Sequence, residues 1–347
     1  MTEKTILQAA KDEVLAGLDK AAADYQLAAL TKQEGNVLFD LVGNSQEIEW
    51  AYAPTVLSPK KFFFPQEEVV VEYTADGTIT PKIDAPPLVL VGIHPCEANA
   101  LHILDEAFAE SHGDPNYLAK REASVVICLD CQDVCDEHAF CYRVNSQYAE
   151  AGYDLMLHAM NGEYAITVKT EKGNAFVEKY LSTTAVDRAA FERFQQAKAA
   201  AFGQYAPFPN LEDLPDVFEA NKDHAVWQEE GDRCLSCGAC IMVCPTCYCF
   251  DVADELALNL QRGERIRRWD ACMLSGFAKV GSGENFREQA EDRLKHRMYR
   301  KFDYLMVKHG QSGCVGCGRC VRACLAEISP KKIVETLTGD QTEEEQV

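Results

Sequence analysis

The sequence lacks the motifs by which most nucleotide-using and hydrolytic enzymes are recognised. It has no G-x4-G-K-[ST] phosphate loop and no G-x-S-x-G nucleophile elbow. The stretch "GSGENF", which begins at Gly281, lacks the third glycine of a dinucleotide fingerprint and follows no predicted strand. No segment identifies a flavin, nickel or sirohaem site. The sequence therefore offers no place where the chain would perform organic chemistry of its own.

Long apolar runs and positive charge are also scarce. No apolar run is long enough to cross a bilayer, so no membrane span is expected. The N-terminal stretch "MTEKTILQAAKDEVLAGL" carries charges and no extended apolar core, which predicts no signal peptide and a cytoplasmic location with reduced thiols. With 34 Lys and Arg against 55 Asp and Glu, the formal net charge is −21. Because nucleic-acid binding needs a basic face, no nucleic-acid partner is expected.

What the chain does have is enough length, 347 residues, for about two domains. Apolar residues at helical spacing predict an amphipathic helix over residues 5–32. Strand patterns follow at "NVLFDLV", "EIEWAY" and "EEVVVEY", then at "APPLVLVGI" and "SVVICL" on either side of the helix "EANALHILDEAFAE", and finally at "YDLMLHAM" and "YAITVKT". Strand, helix, strand is an α/β pattern, so residues 1–180 are predicted to form an N-terminal α/β domain.

The remainder of the chain is predicted to be helical. Residues 181–230 form a polar helical connector, with breaks at Pro207, Pro209 and Pro215. Residues 231–337 contain two runs of four cysteines with the spacing C-x2-C-x2-C-x3-C, and are therefore predicted to form a C-terminal domain built around a two-[4Fe-4S] ferredoxin-like core, with a long insertion at 250–310. Residues 338–347 form an acidic tail. The fold class is accordingly α/β or α+β at the N-terminus, followed by a helical domain.

Sixteen cysteines dominate the chemistry of the chain, and eight of them stand in two runs with the spacing C-x2-C-x2-C-x3-C. That spacing is typical of four-iron clusters, and in two-cluster ferredoxins the fourth cysteine of each run ligates the other cluster. The spacing predicts one cluster held by Cys234, Cys237, Cys240 and Cys324. It predicts a second cluster held by Cys314, Cys317, Cys320 and Cys244.

Two features complicate this prediction. Zinc also binds C-x2-C pairs, but zinc sites use two pairs set well apart rather than three cysteines at unbroken three-residue steps. The 69 residues between Cys244 and Cys314 exceed what a compact ferredoxin needs. Between Arg262 and Lys301 this insertion carries eleven Lys and Arg against six Asp and Glu. The basic residues either neutralise buried clusters or dock an acidic partner, or they form a solvated helix face with pairs such as Glu291–Lys295.

Several motifs together resemble one protein family. They are "CPTCYCFDV", "RIRRWDAC", "GENFR", "HRMYRKFDY" and "GCVGCGRC", joined by "SPKKFFFPQEE", "GIHPCEANAL" and "DPNYLAKRE" in the N-terminal half. The chain resembles the iron–sulfur β subunits of cytoplasmic NAD(P)-linked sulfhydrogenases and the A subunits of anaerobic sulfite reductases. Related subunits accompany flavin oxidoreductases that feed heterodisulfide-reductase-type complexes. The resemblance covers most of the chain.

A third four-iron cluster in the N-terminal domain is a further hypothesis. Cysteines gather after two predicted strand ends, where ligands of α/β sheets usually sit. The resembled family tends to close this region with C-F-C, where this sequence has "HAFC" with Ala139 at the first position. Cys135 substitutes for the missing ligand, which gives the set Cys96, Cys131, Cys135 and Cys141. The alternatives are a reduced cysteine pocket or zinc, and Cys128, inside an apolar strand, is interpreted as core.

Four other residues have no assigned role in the clusters. Cys247, Cys249 and Cys272 belong to the resembled family's motifs, and packing as small apolar residues is favoured over metal binding because three thiolates are one short of a closed site. His94 beside Cys96 suggests a Cys/His nucleophile, but a ligand-loop or packing role is favoured.

The leading hypothesis is a non-catalytic electron-transfer subunit. The resemblance implies two partners, a flavin/[2Fe-2S] NAD(P)H-oxidoreductase subunit and a terminal subunit of hydrogenase, sulfite or sulfur reductase, or heterodisulfide-reductase type. The alternative is a self-contained iron–sulfur reductase that binds flavin or substrate in an N-terminal pocket. A third hypothesis is a zinc-stabilised interaction module.

Overall fold

The computed structural model of the chain describes residues 6–50, 53–208 and 211–339. The strands in these ranges are β1 (Ile6–Ala10), β2 (Gln26–Gln33), β3 (Asn36–Val42), β4 (Glu67–Thr74), β5 (Ile79–Pro81), β6 (Leu88–Ile93), β7 (Ser124–Leu129), β8 (Leu155–Met160), β9 (Glu163–Val168), β10 (Thr184–Ala185), β11 (Phe250–Leu256) and β12 (Arg262–Trp269). They form one eight-stranded and one four-stranded sheet.

The helices lie between and after these strands. They are α1 (Lys11–Ala21), α2 (Pro95–Ala109), α3 (Pro115–Glu122), α4 (Glu171–Tyr180), α5 (Arg188–Gly203), α6 (Leu214–Ala220), α7 (Val226–Arg233), α8 (Ala239–Met242), α9 (Ala290–Tyr299), α10 (Leu305–His309), α11 (Arg319–Arg322) and α12 (Pro330–Thr338). A π-helical turn, Arg300–Tyr304, joins α9 to α10. The chain is thus a mixed α/β protein.

The large sheet has the strand order β10-β1-β9-β8-β7-β6-β2-β3. Its centre is parallel, since β2, β6, β7 and β8 pair in the same direction, and both flanks are antiparallel. Every residue of β6 is buried, because helices cover both faces of the parallel centre. α1 and α4 pack on one face, while α2 and α3 pack on the other.

The prediction of a helix over residues 5–32 is confirmed for the central part of that range and is wrong on either side of it. Residues 6–10 form β1, which pairs with β9, and only Lys11–Ala21 is helical. Residues 26–33 form β2 between β3 and β6, and Leu27 to Thr31 are all buried there. Sheet pairing thus overrides the helical propensity of the alanine- and leucine-rich sequence, a tertiary effect that periodicity does not contain.

The remaining strand predictions have mixed outcomes. "EIEWAY" is not a strand: a 3₁₀ turn occupies Ser45–Glu47, residues 48–50 are irregular, and residues 51 and 52 lie outside the described ranges. The other predicted strands are confirmed, as is the helix after "APPLVLVGI", which begins two residues earlier at Pro95. Pro209, and the acidic tail from residue 340 onward, also lie outside the described ranges.

The four-stranded sheet joins distant parts of the sequence in the order β11-β12-β4-β5. β12, from the insertion between the two cysteine runs, pairs antiparallel with β4 from the N-terminal half. Arg267 of β12 is buried and donates to Glu68 Oε2 at 2.5 Å and to the Asp114 carboxylate. Lys120 also donates to Glu68. These charges fix the small sheet to α3 of the large one.

We expect Arg267→Ala to lower the free energy of unfolding by about 3 kcal/mol, since it leaves the buried Glu68 carboxylate short of a partner. Arg265→Ala on the same strand is the matched control. Arg265 pairs with Asp254 in solvent, so its loss should barely change stability. Urea unfolding followed by tryptophan fluorescence compares the two variants, and equal effects would contradict a structural role for the buried network.

Candidate metal centre

The structure brings the cysteines of the two runs together as two mixed sets of four. Residues of both runs line a first cavity, which contains Cys234, Cys237, Cys240 and Cys324. A second cavity contains Cys244, Cys314, Cys317 and Cys320. Each cavity therefore contains three cysteines of one run and the fourth cysteine of the other, the grouping that the spacing predicts for crossed ligation. Ligation itself stays a prediction.

The two runs have the same local conformation. A glycine with positive φ, Gly238 in the first run and Gly318 in the second, precedes a one-turn helix that carries the third cysteine. Backbone amides point at the sulfurs: Ser236 N lies 3.4 Å from Cys234 Sγ, and Gly316 N lies 3.4 Å from Cys314 Sγ. Such amide donors stabilise thiolates and cluster sulfides, so the loops are chemically suited to hold cubanes.

The second run packs directly against the N-terminal cysteine segment. Phe140 N donates to Gly316 O at 2.6 Å, and Ser146 Oγ donates to Val315 O at 2.5 Å. A Cβ atom at Gly316 would lie 2.5 Å from the Phe140 carbonyl, and φ there is +60°. Only glycine permits this approach, so its presence is a condition for the contact between the two halves.

The four cysteines of the N-terminal hypothesis also lie together. Burial raises the pKa of Cys131 to about 11, and burial together with the Cys131 thiolate raises the pKa of Cys135 to about 12. Burial likewise raises the pKa of Cys96 and of Cys141, which lie within electrostatic range of Cys135. Cys128 lies on β7 with no exposed surface, as expected for a core residue.

His94 has a structural place in this region. It is the N-cap of α2 and forms a capping box with Glu97, while its Nδ1 atom lies 3.6 Å from Cys135 Sγ. Glu97 is buried and pairs with the buried Arg319 of the second cysteine run. Arg319 Nε also donates to Thr55 O at 2.7 Å. These contacts tie the first turn of α2, which contains Cys96, to the second cysteine run.

Buried cations surround the cysteines. Arg297 lines both four-cysteine cavities, although it is only 4% exposed. Burial alone would lower the pKa of Arg297, but the thiolates of Cys240 and Cys320 raise it well above its ordinary value. Burial alone would likewise lower the pKa of Lys301, but nearby thiolates, Cys244 foremost, raise it above its ordinary value. A guanidinium and an ammonium group thus remain charged where anionic groups are predicted.

Some of these residues follow from the sequence and others do not. The sequence shows the basic excess of the insertion. In the structure, Arg293 and Arg297 of α9 are buried toward the cysteines, so these two residues do not belong to a solvated helix face. Arg293 braces the first run by donating to Ser236 Oγ at 2.7 Å. Lys60, far away in sequence, is buried and donates to Cys247 O at 2.7 Å. In the sequence, the one indication of this contact is that Lys60 belongs to the "SPKKFFFPQEE" motif.

Cys247, Cys249 and Cys272 line a separate cavity of about 290 Å³. Cys247 and Cys272 are buried members of the surrounding apolar core and Cys249 packs against it, which agrees with the interpretation of the three as small packing residues. In the described ranges, no group of three or more His, Cys, Asp or Glu side chains is arranged around a single ion. A cubane needs a wider arrangement, because each thiolate binds a different iron atom. No helix within the described ranges could cross a membrane.

Two comparisons with known proteins bear on these cysteines. Residues 233–328 match the family model described as a 4Fe-4S dicluster domain. This range contains all eight cysteines of the two runs and the insertion between them. The sulfhydrogenase 2 subunit beta of Pyrococcus furiosus is 32% identical over 309 residues, which cover 86% of this chain and 87% of that protein. The second similarity therefore includes the N-terminal half as well.

Proposed function

This chain belongs to the family of iron–sulfur β subunits that includes the sulfhydrogenase subunit, and we propose that it relays electrons between two partner subunits. The donor or acceptor on one side is a flavin/[2Fe-2S] NAD(P)H oxidoreductase. The partner on the other side is a terminal catalytic subunit of hydrogenase, sulfite or sulfur reductase, or heterodisulfide-reductase type. The 4Fe-4S dicluster domain supplies the one-electron chemistry that such a relay needs.

The observation that carries this proposal is the contact between the two four-cysteine cavities. Arg297 lines both of them, so the two sites are adjacent. Thr246, which follows the first run, donates to Gly313 O at 2.7 Å and thereby joins the two runs. Adjacent centres in a dry interior favour electron transfer between them. The proposed ligands are Cys234, Cys237, Cys240 and Cys324 for one [4Fe-4S] cluster, and Cys314, Cys317, Cys320 and Cys244 for the other.

The first of these sites also has access to the surface, which an electron relay requires. Cys237 is exposed, and its neighbours Leu235 and Leu325 are 64% and 87% exposed. Two large apolar side chains in solvent beside a cluster site are suited to a partner surface. We propose this edge as one docking point for a partner subunit.

A third [4Fe-4S] cluster is part of the proposal. Its ligands would be Cys96, Cys131, Cys135 and Cys141, each of which lies within electrostatic range of at least two of the others. Cys317, a proposed ligand of the second cluster, lies within the same range of Cys96. This proximity supports a series of three centres that crosses the contact between the second cysteine run and the N-terminal domain.

The relay predicts that NADH or NADPH reduces the clusters only through a flavoprotein. We expect the anaerobically purified chain alone to release no flavin on acid treatment and to stay oxidised with either nucleotide. Adding the flavin-containing subunit should bleach the visible absorption of the clusters, while dithionite should reduce them without it. Reduction of the isolated chain by a nucleotide, together with released flavin, would instead favour the self-contained reductase.

Crossed ligation predicts that Cys244→Ala damages the cluster held by Cys314, Cys317 and Cys320. Cys324→Ala should damage the cluster held by the first three cysteines of the first run, because each fourth cysteine serves the other site. Electron paramagnetic resonance at poised potentials separates the two clusters, with Cys234→Ala as the reference for the first. If Cys244→Ala and Cys234→Ala alter the same signal, ligation is local.

Three clusters predict about twelve irons per chain, and two predict about eight. We expect about twelve in anaerobically purified protein, falling to about eight in Cys131→Ser. Cys128→Ser is the matched control, since Cys128 is a core residue of β7 and should leave the iron content unchanged. Iron and acid-labile sulfide analysis gives the number. About eight irons in the unaltered chain would remove the third cluster from the proposal.

A further inference from the structure

Among the residues that the structure describes, Arg297 alone lines both four-cysteine cavities. It lies on α9 and is 4% exposed, so its guanidinium group is inside the protein. The cysteines that act on it most strongly by charge are Cys240 and Cys320. Each is the third cysteine of its run, so the two belong to different clusters whether ligation is crossed or local. Arg297 therefore adjoins two sites that are both predicted to carry negative charge.

The guanidinium of Arg297 has more hydrogen-bond donors than its protein neighbours satisfy. A guanidinium has five N–H donors and no acceptor. Within the described ranges its Nε atom has no hydrogen-bond partner, and its Nη1 atom lies 4.0 Å from the weak acceptor Met298 Sδ. A buried donor without an acceptor is destabilising, and most buried polar groups in proteins have partners. Anionic sulfur atoms in the two adjoining cavities are the acceptors that this group lacks.

The other two buried cations of the same helical segment differ from Arg297, because oxygen atoms accept their hydrogen bonds. Arg293 donates to Ser236 Oγ at 2.7 Å and to several backbone carbonyls. Lys301 donates to Thr246 Oγ1 at 2.5 Å, and it lines the second four-cysteine cavity but not the first. The three cations follow one another at four-residue steps. Arg293 thus braces the first run, Lys301 lies beside the second, and Arg297 adjoins both sites.

The charge of Arg297 acts on sulfur at both sites. Burial raises the pKa of Cys240 and of Cys320, and at each thiol the positive charge of Arg297 is the largest influence that opposes burial. A cation that stabilises negative charge at a site also stabilises an electron added there. Net charge and hydrogen bonds to the sulfurs are among the factors that set the reduction potential of a cluster.

We propose that Arg297 supplies one positive charge that both clusters share and that raises their two reduction potentials together. The proposal rests on the proposed function, since it needs clusters at both sets of cysteines. It deepens that function by assigning a residue that tunes the relay. Each cluster accepts one electron, and no proton moves with it from Arg297, because a guanidinium keeps its proton in proteins. A cation shared in this way keeps both centres reducible by the same donor, whereas a cation beside one centre would favour the electron there.

The test measures the two potentials separately in the full chain, purified anaerobically with its clusters. Electron paramagnetic resonance at poised potentials gives the ratio of reduced to oxidised cluster at each site. We expect Arg297→Met, which removes the charge and keeps an unbranched side chain, to lower that ratio at least tenfold for both clusters at a fixed ambient potential. For a one-electron couple this is a fall of at least 59 mV in each midpoint potential. The iron content should not change.

Two matched variants remove a positive charge from the same helical segment. Lys301→Met should lower the ratio at least tenfold for the second cluster and change it less than twofold for the first, because Lys301 lines only the second of the two cavities. Lys295→Met should change neither ratio more than twofold. Lys295 donates to the Lys222 carbonyl and lines neither four-cysteine cavity.

Two further variants at position 297 separate charge from packing. Arg297→Lys keeps the positive charge, so both ratios should stay within tenfold of the unaltered chain. Arg297→Gln keeps N–H donors without the charge, and it serves as the second neutral variant if Arg297→Met loses iron. A fall of both potentials in Arg297→Lys as large as in a neutral variant would assign the effect to packing and overturn the shared charge.

Two other results would also overturn the proposal. One is a fall confined to one cluster in the neutral variants, which would make Arg297 a cation of that cluster alone. The other is unchanged potentials in a neutral variant with full iron content. Both results require two cluster signals, so the electron relay stands in either case. Failure of the relay itself would instead appear in the unaltered chain, as absent cluster signals or as clusters that the flavin-containing subunit does not reduce.

Discussion

The placement of positive charge inside the protein is the constraint on which the rest of the structure depends. A cubane with four thiolates carries a charge of about −2, and burying such a charge costs several kcal/mol unless cations or hydrogen bonds compensate it. In a chain with a formal charge of −21, the compensating cations have to be individual basic side chains placed next to the clusters. Arg293, Arg297 and Lys301 supply them from one helical segment, and all three are buried.

That requirement explains why the insertion between the cysteine runs is long. It has to supply α9 and the π-helical turn that follow the two strands, so that basic side chains lie against both four-cysteine cavities. It also supplies β12, which pairs with β4 of the N-terminal half. The insertion is thus one of the parts of the dicluster domain that connect it to the rest of the protein. As a consequence, the two halves share one set of contacts around the cysteines.

The contact between the second cysteine run and the N-terminal segment also connects the dicluster domain to the N-terminal half. The Gly316–Phe140 hydrogen bond and the buried Arg319–Glu97 pair bring Cys96 and Cys317 into electrostatic range. A buried ion pair stabilises a fold only modestly, but it specifies geometry, because either charge left alone in the interior would be costly. The family to which the chain belongs combines these halves in one subunit, as its similarity over 86% of this chain indicates.

The sequence by itself determined the features that depend on local spacing. The two cysteine runs, the buried strand β6 and the helix after it follow from residues close together in the chain. Only the tertiary structure decided features that depend on distant partners. Residues 26–33 became a strand because β3 and β6 lie on either side, and Lys60 reached Cys247 across 187 positions of sequence. The cavity of Cys249 and Cys272 has the same origin, since the pairing of β11 with β12 assembles it.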